Sequence, residues 1–132
     1  MRIVLDTNIV ISAVFFGGYP RRIIEAVADK KFTACATMEI IDEYEEIVQE
    51  MITRKQGSFS HAILSPLIKA LNIVEIKSNV EICRDPDDDK FINCALDSKA
   101  VYIVSGDKDL LVLEKYGDIE IVTAKEFCDR YL

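Results

Sequence analysis

A chain of 132 residues, half of them hydrophobic and 30% charged, has the balance of a single globular domain, expected to span residues 1–132 and to bury a proper core. A net charge of −7 argues against a general nucleic-acid binder, because phosphates repel an acidic surface, but leaves room for an enzyme whose acids hold cations. No run of about 18 apolar residues is present, so no membrane span is expected; Asp6 interrupts the opening apolar run, so no signal peptide is expected either, and the expected location is cytoplasmic.

In chain order, Arg2-Leu5 is apolar without alternation, as for a strand covered on both faces. Asn8-Phe16 reads as a short helix or turn, broken by Gly17-Gly18. Pro20 suits the first turn of a helix running to about Lys30, and Phe32-Ala36 is a second strand. Thr37 caps the next helix, where Ile40, Ile41, Tyr44, Ile47, Val48 and Met51 recur at helical spacing. A polar break at Arg54-Ser58 precedes a helix from about Ser60 to Leu71 that contains Pro66.

Ile73-Ile76 is a third strand. Asp85 reads as an N-cap, with Pro86 at the first position of a helix to about Ser98. Val101-Val104 is the fourth strand, Leu110-Glu114 a short helix and Glu120-Val122 the fifth strand. Thr123-Ala-Lys-Glu126 is a capping box for a last helix. Strands alternating with helices predict an α/β fold, a three-layer α/β/α sandwich around a central parallel five-stranded sheet.

Four cysteines, Cys35, Cys83, Cys94 and Cys128, lie far apart beside a single histidine, His61, so the ligand pairs of a zinc site are missing. They read as small hydrophobes in a reducing compartment, and His61 as a surface histidine.

The carboxylates are more informative. Asp6 and Asp107 each follow the last residues of a strand, the edge at which open parallel sheets bind ligands. Helices begin at that edge too, among them the one opened by Asp85-Pro-Asp-Asp-Asp89. First-turn aspartates ordinarily complement the helix dipole, but Asp88 shares the stripe of Ile92 and Ala95; Asp89, three before Ile92, is the alternative.

Glu43 stands beside the apolar face of its helix next to Tyr44, and is read equally as a functional acid or an edge-of-face charge. Asp109 reads as a first-turn acid of its short helix. Clustered like charges are costly unless neutralised, and Mg2+ or Mn2+, hard ions that prefer oxygen ligands, neutralise them. Thr7 and Asn8 either bond Asp6 or a phosphate or cap the following helix. Ser105 is placed to hold a carboxylate or a ligand water.

These residues carry a resemblance. Ile3-Val-Leu-Asp-Thr-Asn-Ile-Val10, Glu39-Ile-Ile-Asp-Glu-Tyr44, Asp85-Pro-Asp-Asp-Asp-Lys-Phe-Ile-Asn-Cys-Ala-Leu96 and Ile103-Val-Ser-Gly-Asp-Lys-Asp-Leu110 resemble, in order, the four motifs of the PIN-domain ribonucleases, particularly the VapC-like toxin branch. The resemblance implies a PIN-like domain over the whole chain and Asp6, Glu43, Asp88 and Asp107 as the acids around one or two Mg2+ or Mn2+ ions. Asp89 is kept as the alternative third acid and metal ligand, and Thr7, Asn8 and Ser105 as supporting residues. It further implies an endoribonuclease acting on RNA phosphodiester bonds, a basic antitoxin protein as partner, a homodimer to which Val14-Phe15-Phe16 contributes unless it is core, and no membrane association. Gly106 departs from the family, standing where a basic residue is often found.

Two other readings compete. A metal-dependent phosphatase of the haloacid-dehalogenase type wants a second aspartate two residues after the first, where this chain has Asn8. A receiver domain wants a lone acceptor aspartate after its third strand, a pattern also unmet. A catalytically idle PIN-like module would use the acidic edge to dock a basic partner.

Overall fold

In the computed structural model, which describes residues 1–55 and 63–132, Ile3, Val4 and Leu5 are all fully buried. Successive strand side chains point to opposite faces, so the sheet is covered on both. These residues belong to β1 (Arg2–Leu5), which is flanked by β2 (Thr33–Ala36) and β4 (Tyr102–Val104). With β3 (Asn72–Ile73), β5 (Lys115–Tyr116) and β6 (Ile119–Val122), they form one sheet of order β3-β2-β1-β4-β6-β5. All pairings are parallel except that of β5 with β6.

The helices supply the outer layers. Against β1, β2 and β4 lies α5 (Asp89–Ser98). Elsewhere α2 (Gly18–Ala28) packs on α1 (Thr7–Phe15), α4 (Leu64–Ala70) and α7 (Ala124–Tyr131). Between α1 and α3 (Met38–Lys55) a smaller cluster gathers Ile11, Val14 and Val48, with Phe15 at its edge. Thus Val14 is core, while Phe16 is 72% exposed.

Local chemistry explains the boundaries. Gly17 and Gly18 have φ of +79° and +64°, a region side chains rarely enter, and end α1. Arg21 donates from Nε and Nη2 to the carbonyls of Ala13 and Val14, satisfying the end of that helix. Thr37 Oγ1 accepts from the Ile40 amide at 3.2 Å, and the Thr123 capping box forms in full. Pro66 sits in the first turn of α4, where its missing N–H interrupts nothing. The expected start of that helix, and His61, lie outside the described residues. All four cysteines are free, three of them buried. No helix among the described residues is long and apolar enough to cross a membrane.

Two elements differ from expectation. The sheet has a sixth strand, because the chain after α6 (Lys108–Leu111) turns back as a hairpin instead of continuing as a helix to Glu114. Glu114 takes φ +60° and Gly117 φ +58°, and Gly117-Asp118 supplies the two-residue turn. The third strand stops at Ile73 instead of Ile76.

Beyond β3, residues 77–83 form a strap held by one stripe of α5. Asp97 Oδ2 accepts from the amides of Lys77 and Ser78, Asn93 bonds both the N–H and the carbonyl of Val80, and Asp89 Oδ1 accepts from Ile82 and Cys83. These three side chains stand four residues apart, so one face of the helix replaces a neighbouring strand. Asn93→Ala removes both bonds to Val80 and is expected to cost about 1–3 kcal/mol, since Val80 is left half-buried with its backbone unpaired. Thermal melting reads the loss, and amide exchange should quicken at Val80 before it does in β1.

Candidate active site

The parallel register pairs Leu5 with Val104, so the residues that follow, Asp6 and Ser105, come side by side at the carboxyl edge. Asp6 is 4% exposed and its amide donates to the Val104 carbonyl at 2.9 Å. The fully buried Ser105 hydroxyl donates to Asp6 Oδ2 at 2.6 Å and accepts from the Asp107 amide at 2.9 Å, joining the two acids. Tyr44, buried on α3, donates its hydroxyl to the Leu5 carbonyl and ties that helix to the same edge. Burial raises the pKa of Asp6; Ser105 and the amides of Asn8 and Thr7 oppose the shift, and the charge of Asp107 adds to it.

Asp88 arrives from the other side of the sequence. Asp85 Oδ1 accepts from the Asp87 amide and caps a single 3-10 turn, Pro86–Asp88, that leads into α5. The turn leaves Asp88 6% exposed, and its Oδ2 has no hydrogen-bond partner among the described residues. Burial, then the charges of Asp107 and Asp6, a side-chain hydrogen bond with Asp107 and the charge of Asp85 push its pKa up to about 7. Asp85, Asp88 and Asp109 each offer an oxygen within 4.8 Å of the others, and exposed Arg84 pairs with Asp109 at 3.0 Å.

The two candidates for the third acid have different surroundings. Asp89, the alternative third acid and metal ligand, anchors the strap through its Oδ1. Burial acts to raise its pKa, but the amides of Cys83 and Ile82 outweigh it and the net shift is downward. The side chain of Asn8 is exposed within the first turn of α1, and Asp6 holds the N-cap position, so the capping reading of Asn8, one of two kept open, does not apply. Asp107 Oδ1 accepts from the Asp109 amide at 2.9 Å and so also caps α6.

Glu43 does not stand free. Thr7 Oγ1 donates to its Oε2, and Lys90 Nζ forms an ion pair with its Oε1. Lys90 also reaches both oxygens of Asp87, at 3.1 and 3.2 Å. Burial acts to lower the lysine pKa, but Glu43 and Asp87 outweigh it and raise it. Reasoning from sequence missed Lys90 as well as the proximity of Asp85 and Asp109 to Asp88. The signal for Lys90 was a cation in the first turn of a helix, where it opposes the dipole unless a partner offsets it.

A buried carboxylate oxygen without a donor, amid other carboxylates, fits a hard divalent cation with oxygen ligands. Such a centre can activate water and stabilise charge on a phosphate.

The chain is similar to an uncharacterized protein of Methanocaldococcus jannaschii, MJ1680, with 32% identity over 143 aligned residues that take in 99% of this chain and 92% of that protein. Its fold is similar to that in the crystal structure of VapBC2 from Rickettsia felis bound to a DNA fragment from their promoter. The TM-score is 0.62 at 15% identity, covering 93% of this chain and 98% of that one. A family model described as PIN domain matches residues 2–109, which take in every acid of the site. The chain therefore belongs to the PIN-domain family.

Proposed function

We propose that this chain is a Mg2+- or Mn2+-dependent endoribonuclease that hydrolyses RNA phosphodiester bonds and acts as the toxin half of a toxin–antitoxin pair. The observation that carries the reading is the buried oxygen of Asp88, without a donor among the described residues and crowded by Asp107 and Asp6 within a PIN-family chain. Asp6, Asp88 and Asp107 would hold the cation, with Asp85 and Asp109 beside Asp88 as further oxygen donors. Bound there, Mg2+ or Mn2+ supplies a water of lowered pKa and a positive charge opposite the scissile phosphate.

The chain's own residues do the rest. Ser105 fixes the rotamer of Asp6 and the start of the Asp107 turn, so two ligands share one support. Glu43, held by Thr7 and Lys90, presents a carboxylate that accepts a hydrogen bond from the attacking water. Exposed Arg84 and Lys108 stand beside the acids, where they offset the negative charge of the chain as the RNA backbone approaches.

A basic antitoxin complements the net charge of −7, and the likeness to a VapBC complex supports such a partner. A homodimer and a cytoplasmic location belong to the same reading. The test is a mixed RNA pool incubated with purified protein and Mg2+ or Mn2+. The parent is expected to cleave, EDTA to block cleavage, and Asp6→Asn and Asp107→Asn to abolish it. Metal binding by the parent without RNA cleavage would overturn the nuclease reading.

A further inference from the structure

We propose that Lys90 is a positioning residue that keeps Glu43 out of the coordination shell of the cation held at Asp88, an inference that rests on the metal-dependent reading of that site. The acids here divide into two sets by their partners. Asp88 keeps a buried oxygen with no donor among the described residues, while both oxygens of Glu43 are taken, one by Thr7 and one by Lys90. The charges that crowd Asp88 are those of Asp107, Asp6 and Asp85; the charge of Glu43 is matched by the ammonium.

The pair is sheltered, with side-chain exposures of 11% for Lys90 and 24% for Glu43, so water and salt screen it less than a surface pair. Lys90 occupies the first turn of α5, where a cation opposes the dipole, so helix stability does not explain it. Exposed Asp87 holds the same ammonium from the solvent side and fixes where it sits. Glu43 is thus neutralised within the chain, with a second lone pair on each oxygen still open to water, while the aspartates await a cation.

The test is a double-mutant cycle read as Mn2+ affinity, by calorimetry or by the electron paramagnetic resonance of free Mn2+, on protein without RNA. Parent, Glu43→Gln, Lys90→Met, the double variant and Lys90→Arg are compared. The Glu43→Gln step is expected to weaken binding less than about threefold in the parent, but about tenfold or more in the Lys90→Met background, where the released carboxylate joins the cation. Lys90→Arg, which keeps the charge, is expected to behave as the parent.

A simple field effect would make the two Glu43→Gln steps equal, and equality overturns the proposal while leaving the metal site intact. A loss of about tenfold for Glu43→Gln in the parent also overturns it, and needs no folded Lys90 variant. A parent that binds no Mn2+ overturns both this proposal and the metal-dependent reading beneath it.

Discussion

Exchanging Asp6 for asparagine is expected to lower metal-dependent RNA cleavage at least about 100-fold, since outer partners of metal ligands alone are worth about 10–100-fold. Asparagine keeps the shape of the side chain and can still accept from Ser105, so the change isolates the charge. The fold should not suffer. Burial already makes the Asp6 carboxylate unfavourable in the ion-free protein, so its melting temperature at pH 8 is expected to equal or exceed that of the parent. Ser105→Ala leaves the carboxylate but frees its rotamer, and should fall nearer about tenfold. Turnover at saturating Mn2+, with melting measured on the same samples, reads both. Cleavage by Asp6→Asn within tenfold of the parent would remove Asp6 from the site.

Asp88→Asn has its main effect on stability, with opposite signs in the two metal states. An unfolded Asp88 loses its proton near 3.8, the folded one at about 7. Between those values the native state holds the extra proton, so the ion-free protein loses stability as pH rises from about 4 to 7 and stays at the lower level above. Asparagine cannot ionise, so the variant should lose most of that decline and melt on the order of 5 °C higher at pH 8. Divalent cation acts the other way. It needs the deprotonated carboxylate, so Mg2+ or Mn2+ should stabilise the parent more strongly as pH climbs through 7 and the variant hardly at all. Equal pH profiles for the two ion-free proteins would show that Asp88 bears no such strain.

Much of the scaffold could be read before any coordinates. The unalternating run at Arg2-Leu5 meant burial on both faces, and that strand lies in the middle of the sheet. The Thr37 and Thr123 caps and the glycine break at 17–18 are local chemistry, visible within a few residues, and each formed. The misses are non-local or compete with a stronger pattern. Ile73-Ile76 looks like a full strand, but its continuation bonds to side chains of α5 that follow much later in the sequence. The β5–β6 hairpin was signalled by Gly117-Asp118, which the apolar Leu110-Leu113 run obscured.

At the site, the supports of Asp6 were legible because strand order brings the ends of β1 and β4 together. Periodicity left Asp88 and Asp89 open, since both fall near the buried stripe of α5. The backbone amides at Ile82 and Cys83 engage only Asp89, and no spacing rule announces where a strap will lie. Lys90 was passed over because its partner Glu43 is 47 residues away.

The hairpin at one end of the sheet and the two-residue strand at the other leave scarcely any unpaired backbone on either margin. Sheet extension is how many chains recruit a second copy or a peptide, and it needs a long bare border. The described residues present no such border. A partner of the described surface is therefore expected to grip side chains on its helical flanks or its acidic crest, so that residue identity counts for more than main-chain zippering.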